Sequence, residues 1–225
     1  GTLGLISQVT LKVIPKPEAN RWLTLATNAA EIPDTLTLLA KTRTRPCAVC
    51  VRGDHSLVVG YEDNALAVAW QVSQLRQELP ASLADRMAEL SASAAEQLLA
   101  ELRDFPLKQG PSLTFKANLL PATTWDFCQL ANSLGVTDTL AFAGNGIVVG
   151  HLPDELSLEK AKEILATLSR YANKASGNLV LPRCPQGWKA VLPVWGQETG
   201  DRVLMRAIKA TLDPQNVFNP GRFVV

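Results

Sequence analysis

The feature of the sequence that most constrains its fold is an order of elements that occurs twice. Alternating apolar stretches, leucines at helical spacing and turn residues predict a strand, a helix, a hairpin of two strands and a second helix over residues 21–79. The same β-α-β-β-α order is predicted over residues 112–173. Each half matches the split β-α-β arrangement of ferredoxin-like units. We therefore expect an α+β fold in which both halves form one antiparallel sheet with helices packed on one face, plus a C-terminal helix and tail.

Turn and cap residues support this assignment. Asn145 and Gly146 are the strongest hairpin signal, and residues 53–55 predict the equivalent turn in the first half. Asp63 and Ser157 are the expected N-caps of the second helix in each half. These signals place both hairpins and both long helices at matching positions of the repeat.

Three segments lie outside the two halves. Residues 3–13, "LGLISQVTLKV", alternate and are rich in β-branched side chains, which predicts a strand. Residues 83–105 are alanine-rich and amphipathic, which predicts one more helix. "FPLKQGP", residues 105–111, contains two prolines and a glycine and predicts a break between the halves.

Composition excludes two classes of partner. The chain has 225 residues with 22 basic and 21 acidic side chains, and this balance gives no attraction to nucleic acid or to an anionic membrane. No apolar run approaches the ~18 residues that a membrane span needs, and no signal peptide is recognisable. We expect a cytoplasmic protein. Because the chain begins at Gly1 and not at a methionine, we also expect a fragment of a longer protein.

The four cysteines are expected to be free thiols in a reducing compartment. Cys47 and Cys50 form a C-x-x-C pair, but they lie in a predicted strand, where residues three apart point to opposite faces. That geometry suits neither a shared metal nor a disulfide. Cys128 lies on a predicted helix and Cys184 beside two prolines, so neither completes a cluster.

No motif for a self-contained active site is present. A glycine-rich phosphate loop between a strand and a helix is absent. The two histidines are His55, in a predicted turn, and His151, after a predicted strand, and neither has a partner motif for acid–base or nucleophilic catalysis. We predict no catalytic residue in this chain.

The two ends of the chain carry a family resemblance. "GTLGLISQVTLKVIPKP" resembles the strand that closes the flavin-binding domain in FAD-linked oxidases of the vanillyl-alcohol-oxidase type. "LMRAIKATLDPQNVFNPGRF" resembles the closing signature of the same family, and the double β-α-β-β-α pattern is the one expected of its C-terminal, substrate-covering domain. "PVWG" at residues 193–196, together with the arginine of "NPGRF", is similar to one branch of the family, the E-type subunits of bacterial glycolate oxidase.

The resemblance implies a set of cofactor and substrate contacts. Glycines near the flavin would let the backbone approach it closely, and other residues would add a hydroxyl or an amide. The implied cofactor-binding positions are Gly1, Thr2, Leu3, Gly4 and Asn219. Lys116, in a strand where the family often places a basic residue, and Arg222 are the implied substrate-binding residues. Lys116 can equally be a solvated lysine of a strand. Asn219 can equally belong to a turn that merely ends the chain.

One departure from the family removes a metal site. Members that oxidise 2-hydroxy acids with a metal carry a His-x-x-Gly-Asp-Gly-Asn-x-His type motif in the second hairpin. In "AFAGNGIVVGHL", Phe142 and Val149 stand at the positions of the two histidines. Asn145 stands at the position of the aspartate, and Ile147 at that of the asparagine. His151 comes two residues too late to replace the second histidine. We therefore predict no metal.

The resemblance also implies an organisation and partners. Residues 1–18 would end a missing FAD-binding domain, residues 19–198 would form the substrate domain, and residues 199–225 would return toward the FAD domain. The expected partners are an FAD-linked D-type subunit and an iron–sulfur subunit, with a small 2-hydroxy acid as substrate and peripheral membrane contact through those partners. The fragment alone would be inactive. The alternative is a non-catalytic module that docks subunits of such a complex.

Overall fold

A computed structural model of the chain describes residues 2–13, 15–53, 55–108, 110, 112–197 and 200–222. The chain divides into a larger unit, residues 17–194, and a smaller unit made of the segments before and after it. The strands are β1 Ala19–Leu25, β2 Ala48–Arg52, β3 Leu57–Asp63, β4 Met87–Glu89, β5 Thr114–Asn118, β6 Asp138–Phe142, β7 Ile147–His151 and β8 Asn178–Arg183. The helices are α1 Ile32–Lys41, α2 Ala65–Glu78, α3 Ala81–Ala84, α4 Ala92–Asp104, α5 Thr124–Ser133, α6 Leu158–Lys174 and α7 Asp201–Leu212.

The strands of the larger unit form one sheet in the order β4-β1-β3-β2-β6-β7-β5-β8. Neighbouring strands are antiparallel throughout. The two halves meet where β2 pairs with β6, through Cys50–Phe142, Val51–Ala141 and Arg52–Leu140. These two strands hold the same place in their halves, so the seam joins equivalent strands. The predicted α+β class and the single antiparallel sheet are confirmed.

The main core lies between one face of the sheet and the helices α1, α2, α5 and α6. Alternate strand residues point into it because successive side chains of a strand face opposite ways. Phe115 of β5 packs edge to face against Phe127 of α5, with ring centroids 5.8 Å apart. Phe127 in turn contacts Tyr171 of α6, at 5.9 Å. Burial of each such side chain contributes about 1.5–3 kcal/mol, which holds the predicted helices on this face.

A second, smaller core lies on the opposite face of the sheet, beneath α4. Its buried members are Trp22, Cys50, Val58, Ala95, Leu98, Leu102 and Leu140. The sequence did not predict a helix on this face, because the alanine-rich pattern of α4 gives its amphipathicity but not the side of the sheet that it covers. One half of the second face is therefore covered by the chain itself.

The segment 83–105 is not one continuous helix. β4, only three residues long, interrupts it and pairs with β1 from Leu23 to Leu25. Ser91 then caps α4 by accepting a hydrogen bond from the backbone N–H of Ala94 at 3.3 Å. The pattern of the sequence could not show this strand, because its partner lies more than 60 residues earlier.

The strand predicted over residues 3–13 is not formed. Residues 4–13 have no assigned secondary structure, and residues 5–13 are exposed. A strand requires a neighbour for its backbone N–H and C=O groups, and no described strand pairs with this segment. The alternating sequence is therefore present without a partner in the part of the chain that the structure describes.

Two smaller predictions about caps have different outcomes. Ser157 is the N-cap of α6, as predicted, and its hydroxyl accepts from the N–H of Lys160 at 3.2 Å. The N-cap of α2 is Asn64 and not Asp63, because the Asn64 amide oxygen accepts from the N–H of Ala67 at 2.9 Å. Both helices start within one residue of the predicted position.

The two edges of the sheet differ in how they end. At one edge, β4 offers a row of only three residues. At the other edge, β8 contains Pro182, which has no N–H, and the N–H of Leu181 donates to the carbonyl of Val194 at 2.8 Å.

Among the described residues, no helix is both long and apolar enough to cross a membrane.

Candidate functional site

The candidate substrate residue Lys116 lies in the middle of β5, on the face of the sheet away from α5 and α6. Its neighbours Phe115 and Ala117 are buried in the main core, so alternation places Lys116 on the other face. Val149 of β7 stands opposite it on one side and Val180 of β8 on the other. Lys116 is half-buried and forms no ion pair with any described residue. An ammonium between two valines can hold one carboxylate as a point charge.

An amide pair lies next to this lysine on the same face. Asn118 of β5 donates from Nδ2 to Oδ1 of Asn178 of β8 at 2.6 Å. Ile147 of β7 stands opposite Asn118, and Phe142 of β6 opposite Ile147. This part of the face therefore places the ammonium of Lys116 beside two amides and apolar side chains. Amides and apolar side chains are groups that bind a ligand, and general bases are His, carboxylate or similar side chains.

The second hairpin has a structural reason for its glycine. Gly146 has φ of 72°, and a Cβ built on it would lie 2.0 Å from the carbonyl oxygen of Leu119. At the positions where the resemblance expects histidines, Phe142 is half-buried and Val149 is buried. Over the residues that the structure describes, no three side chains of His, Cys, Asp or Glu lie together in a way that could hold a metal.

His151 is a buried, fully bonded histidine. Its Nε2 lies 2.9 Å from the carbonyl oxygen of Phe105, and its Nδ1 lies 2.9 Å from the hydroxyl of Thr114. A carbonyl only accepts, so Nε2 carries the hydrogen and Nδ1 accepts from Thr114. Burial lowers the pKa of His151, which favours the neutral ring. Both nitrogens are occupied inside the fold, so this ring is not available as a catalytic base.

The cysteines of the predicted C-x-x-C pair are free. Cys47 is exposed and Cys50 is buried. The residue Cys47 is exposed, but its thiol is partly shielded from water and lies near the charge of Glu62, which together raise its pKa to about 11; burial raises the pKa of Cys50 to about 12, so neither is a thiolate at neutral pH. Thiols in this state are poor nucleophiles and poor metal ligands.

The N-terminal candidate residues belong to the smaller unit. Thr2, Leu3 and Gly4 are half-buried, and Gly1 lies outside the described residues. A Cβ built on Gly4 would lie 3.2 Å from Cδ1 of Leu212, at the end of α7. The missing side chain of Gly4 thus makes room for α7, which accounts for the glycine without a cofactor.

The C-terminal candidate residues lie in a tight turn of the same unit. Asn219 has φ of 46° and Gly221 has φ of 71°, and the N–H of Arg222 donates to the carbonyl of Asn219 at 3.2 Å. Asn219 and Arg222 are both exposed. The indole N–H of Trp195 donates to the carbonyl of Arg222 at 2.7 Å, so the "PVWG" and "NPGR" motifs meet in the structure. The smaller unit therefore contains the motif residues of both ends of the chain.

Two cavities lie where the pairing of β2 with β6 ends, one on each face of the sheet. The first, about 360 Å³, lies between the first hairpin and α5 and is lined by His55, Trp125 and Cys128 among others. The second, about 310 Å³, lies beneath the end of α4, beside Leu102 and Phe105. Neither is lined by a sequence-predicted site residue. Their walls come from segments far apart in the chain, so no local pattern of the sequence indicates either cavity.

The comparisons with known proteins identify the fold and not the family. No protein-family model matches the chain, and no curated protein matches its sequence. Among solved structures, the chain is similar to alkyldihydroxyacetonephosphate synthase, with a TM-score of 0.52 and 15% identity over 99% of this chain and 48% of that chain. A second structure of such a synthase gives a TM-score of 0.44 and 13% identity over 91% of this chain and 44% of that one.

The chain thus spans about half the length of the synthase that it matches. At 15% identity the likeness shows the fold alone. It supports the domain fold expected from the resemblance to FAD-linked oxidases and says nothing about a glycolate oxidase subunit.

Proposed function

We propose that this chain is the C-terminal, substrate-covering domain of an FAD-dependent oxidoreductase subunit, in a complex that oxidises glycolate or another small 2-hydroxy acid. Two findings support the proposal. The sheet of two β-α-β-β-α halves is the one expected of such a domain. The whole chain also matches about half of a longer synthase, as a domain of a larger enzyme would.

The observation that carries the proposal is the apolar surface of the smaller unit. Five side chains of the N-terminal segment are between 67% and 84% exposed: Leu5, Ile6, Val9, Leu11 and Val13. Val203, Leu204 and Leu212 of α7 are also exposed by 60% or more. Exposed apolar surface of this extent indicates a contact with another protein surface. Because the same unit carries the family motifs, the companion that we propose is the FAD-binding domain of the parent protein.

The described residues do not form a flavin cradle by themselves. The space beside Gly4 is occupied by the side chain of Leu212, and Asn219 lies in an exposed turn. We therefore assign FAD to the companion domain, with Thr2, Leu3, Gly4 and Asn219 at its edge. Bound flavin supplies hydride-accepting chemistry, and the protein supplies position and electrostatics. The fragment alone is expected to be inactive.

In this proposal Lys116 binds the carboxylate of the substrate. Its place on the face away from α5 and α6, with no competing anion among the described residues, supports this role. Lys116→Met in the full-length enzyme should raise KM for the acid about tenfold or more while changing kcat less, because a charge–charge contact present before the reaction is lost. Lys174→Met, in the last turn of α6, is the control. An unchanged KM would remove Lys116 from the site.

The partners and place of the parent follow from the same proposal. They are an FAD-linked D-type subunit and an iron–sulfur subunit, with the complex in the cytoplasm and in peripheral contact with the inner face of the membrane. The second candidate function is a non-catalytic docking module of this complex. The exposed apolar surface favours docking in either case, so turnover decides between the two.

The decisive experiment uses the full-length protein. After purification with its natural upstream sequence, an absorbance band at ~450 nm is expected from bound flavin. A full-length protein that lacks this band would contradict the oxidoreductase proposal. With flavin present, turnover of glycolate by the subunit alone identifies a catalyst, whereas turnover only with the partner subunits identifies a supporting subunit.

A further inference from the structure

The cavity beside the first hairpin lies between the two halves of the chain. One wall is a face of α5, where Trp125 is followed three and four residues later by Cys128 and Gln129. The facing wall comes from the first half and includes Ala29 and His55. The volume of about 360 Å³ is at the lower end of the range for small-molecule sites, ~300–1,000 Å³. The cavity is therefore large enough for a small organic ligand.

Hydrogen bonds fix the position of the hairpin wall. The N–H of His55 donates to the carbonyl of Arg52 at 2.9 Å, and the hydroxyl of Thr27 donates to the carbonyl of His55 at 2.8 Å. His55 has φ of 65°, in the left-handed region that histidine adopts more readily than most residues. The turn is thus held both to its own hairpin and to the loop before α1, so this wall is already formed in the fold.

Trp125 gives the cavity a polar group without a partner. Only 6% of Trp125 is exposed. Its indole N–H is buried and has no hydrogen-bond partner among the described residues. The His55 ring lies edge to face against the indole, with centroids 5.7 Å apart. A buried donor without an acceptor weakens the fold, so a ligand oxygen that accepts from this N–H would recover the lost stability.

The rest of the lining favours an uncharged ligand with an apolar ring. Val51 and Cys128 are buried and line the cavity with apolar atoms. Gln129 and Asn132 of α5 are exposed amides at its rim, and an amide can both donate and accept. The one fixed charge among the described lining residues is Arg52, which is already in an ion pair with α4. The lining thus matches a ring that carries a neutral polar group.

We propose that this cavity binds a small aromatic carboxamide. The ring packs between Val51 and the Trp125 indole, the carbonyl oxygen accepts from the indole N–H, and the amide NH2 donates to Gln129 or Asn132. Because the indole N–H is buried beside the His55 ring, we expect that ring to turn when the carbonyl binds.

This site is separate from the proposed substrate site. Val51 and Cys128 belong to the main core, on the face of the sheet that carries α1 and α5, whereas Lys116 lies on the other face. Both halves of the chain line the cavity, so the ligand binds across their junction. A ligand that binds only the folded chain raises its unfolding temperature as the concentration of the ligand rises.

NMR of the indole N–H groups during titration of the full chain with benzamide tests the proposal. The Trp125 signal should shift and reach saturation, and the unfolding temperature should rise over the same concentrations. The Trp22 indole is the internal control, because it is also buried without a partner among the described residues but lies in the second core. No shift at Trp125 up to the solubility limit of benzamide, or equal shifts at both indoles, would overturn the proposal.

Two related probes separate the contribution of the ring from that of the amide. Toluene has the ring without an acceptor, and acetamide has the amide without a ring. Each should bind about tenfold more weakly than benzamide or worse, because each loses one of the two kinds of contact. Toluene that binds as tightly as benzamide would show that the indole N–H has no part in recognition.

Two variants and a control locate the site. Trp125→Phe removes the donor and keeps a ring, so the affinity for benzamide should fall about tenfold while that for toluene changes little. Ala29→Leu fills the cavity from the facing wall and should block both probes, which keeps the test available if the phenylalanine variant fails to fold. Ala30→Leu, at the exposed next position, should leave binding intact. Benzamide binding that Ala29→Leu does not weaken, or that both leucine variants weaken equally, would place the ligand elsewhere.

Discussion

Asp213 is the residue that shapes the C-terminal turn. The side chain is buried and accepts from Nζ of Lys209 and from the N–H groups of Val217 and Phe218, the latter two at 2.8 Å. Lys209 also donates to the carbonyl of Phe218 at 2.8 Å. Burial alone would raise the pKa of Asp213, but the hydrogen bonds from Lys209 and from the two N–H groups outweigh it and hold the pKa below its usual value. The chain after α7 is thus folded around one carboxylate.

Asp213→Asn should loosen this turn. The substitution leaves Lys209 without its counter-charge, so we expect amide protection at Val217 and Phe218 to fall about tenfold, as for one lost charge-assisted hydrogen bond. Hydrogen exchange of the C-terminal peptides measures this, with the exposed Asp34→Asn as control. Because the folded pKa is depressed, the stabilisation is complete above about pH 3.9 and is lost as the pH falls through the folded pKa. Unchanged protection would contradict the role.

Gly150 belongs to a glycine–aromatic pair across two strands. Gly150 of β7 stands opposite Phe115 of β5, and an added Cβ would lie 2.4 Å from Cζ of that ring. Phe115 is fully buried against Phe127, so it has no room to move. Gly150→Ala should therefore lower the free energy of unfolding by about 1–3 kcal/mol, the cost of overpacking a core.

Urea denaturation of the Gly150→Ala variant checks this value. Gly187→Ala is the matched control, because nothing lies within 4 Å of its added Cβ and its φ is negative. A destabilisation that is equal in both variants would show that the close approach to Phe115 is not the cause.

At the scale of elements, residues 5–13 are a strand sequence without a partner. Ile6→Thr combined with Val9→Thr should leave the unfolding temperature of this chain unchanged, because both side chains are already exposed. If the proposed full-length parent is as described above, the same pair should weaken the contact with its FAD-binding domain and lower flavin retention. The control is Val148→Thr, which places a hydroxyl in the main core and should destabilise both proteins by about 1–3 kcal/mol. Loss of stability in this chain from the first pair would contradict the exposed placement.

The sequence predicts elements whose signals are local. The Asn145–Gly146 hairpin, the cap at Ser157 and the order of both halves depend on residues close in the chain, and all three are present in the structure. β4 and the side of the sheet that α4 covers depend on distant partners, so periodicity did not reveal them. Residues 5–13 show the opposite case, since strand propensity without a neighbouring strand does not form a strand.

The candidate site follows the same rule. Alternation along β5 is enough to place Lys116 on the face opposite Phe115, as the structure has it. The bonds of His151 to Phe105 and Thr114, 46 and 37 residues away, had no signal in the sequence. Contacts of that kind depend on the register between strands, which only the assembled sheet determines.

At the scale of the larger unit, one core spans both halves. The main cluster contains Leu23 and Val59 of the first half together with Phe115 and Phe127 of the second. A shared core couples the halves, so we expect one cooperative unfolding transition of residues 17–194. Hydrogen exchange at increasing urea should give the same midpoint for β3 and for β7. Two separated midpoints would show that the halves unfold independently.

The ends of the sheet also decide how this chain can associate. A long sheet with open edges can add strands from further copies and so polymerise. Here β4 offers only three residues for pairing with an added strand. At the other edge, β8 offers Pro182 and a Leu181 N–H that already donates to the carbonyl of Val194. Growth of the sheet from either side is therefore discouraged. The contact with the proposed companion domain would instead use side-chain surfaces and residues 5–13, which separates partner binding from self-aggregation.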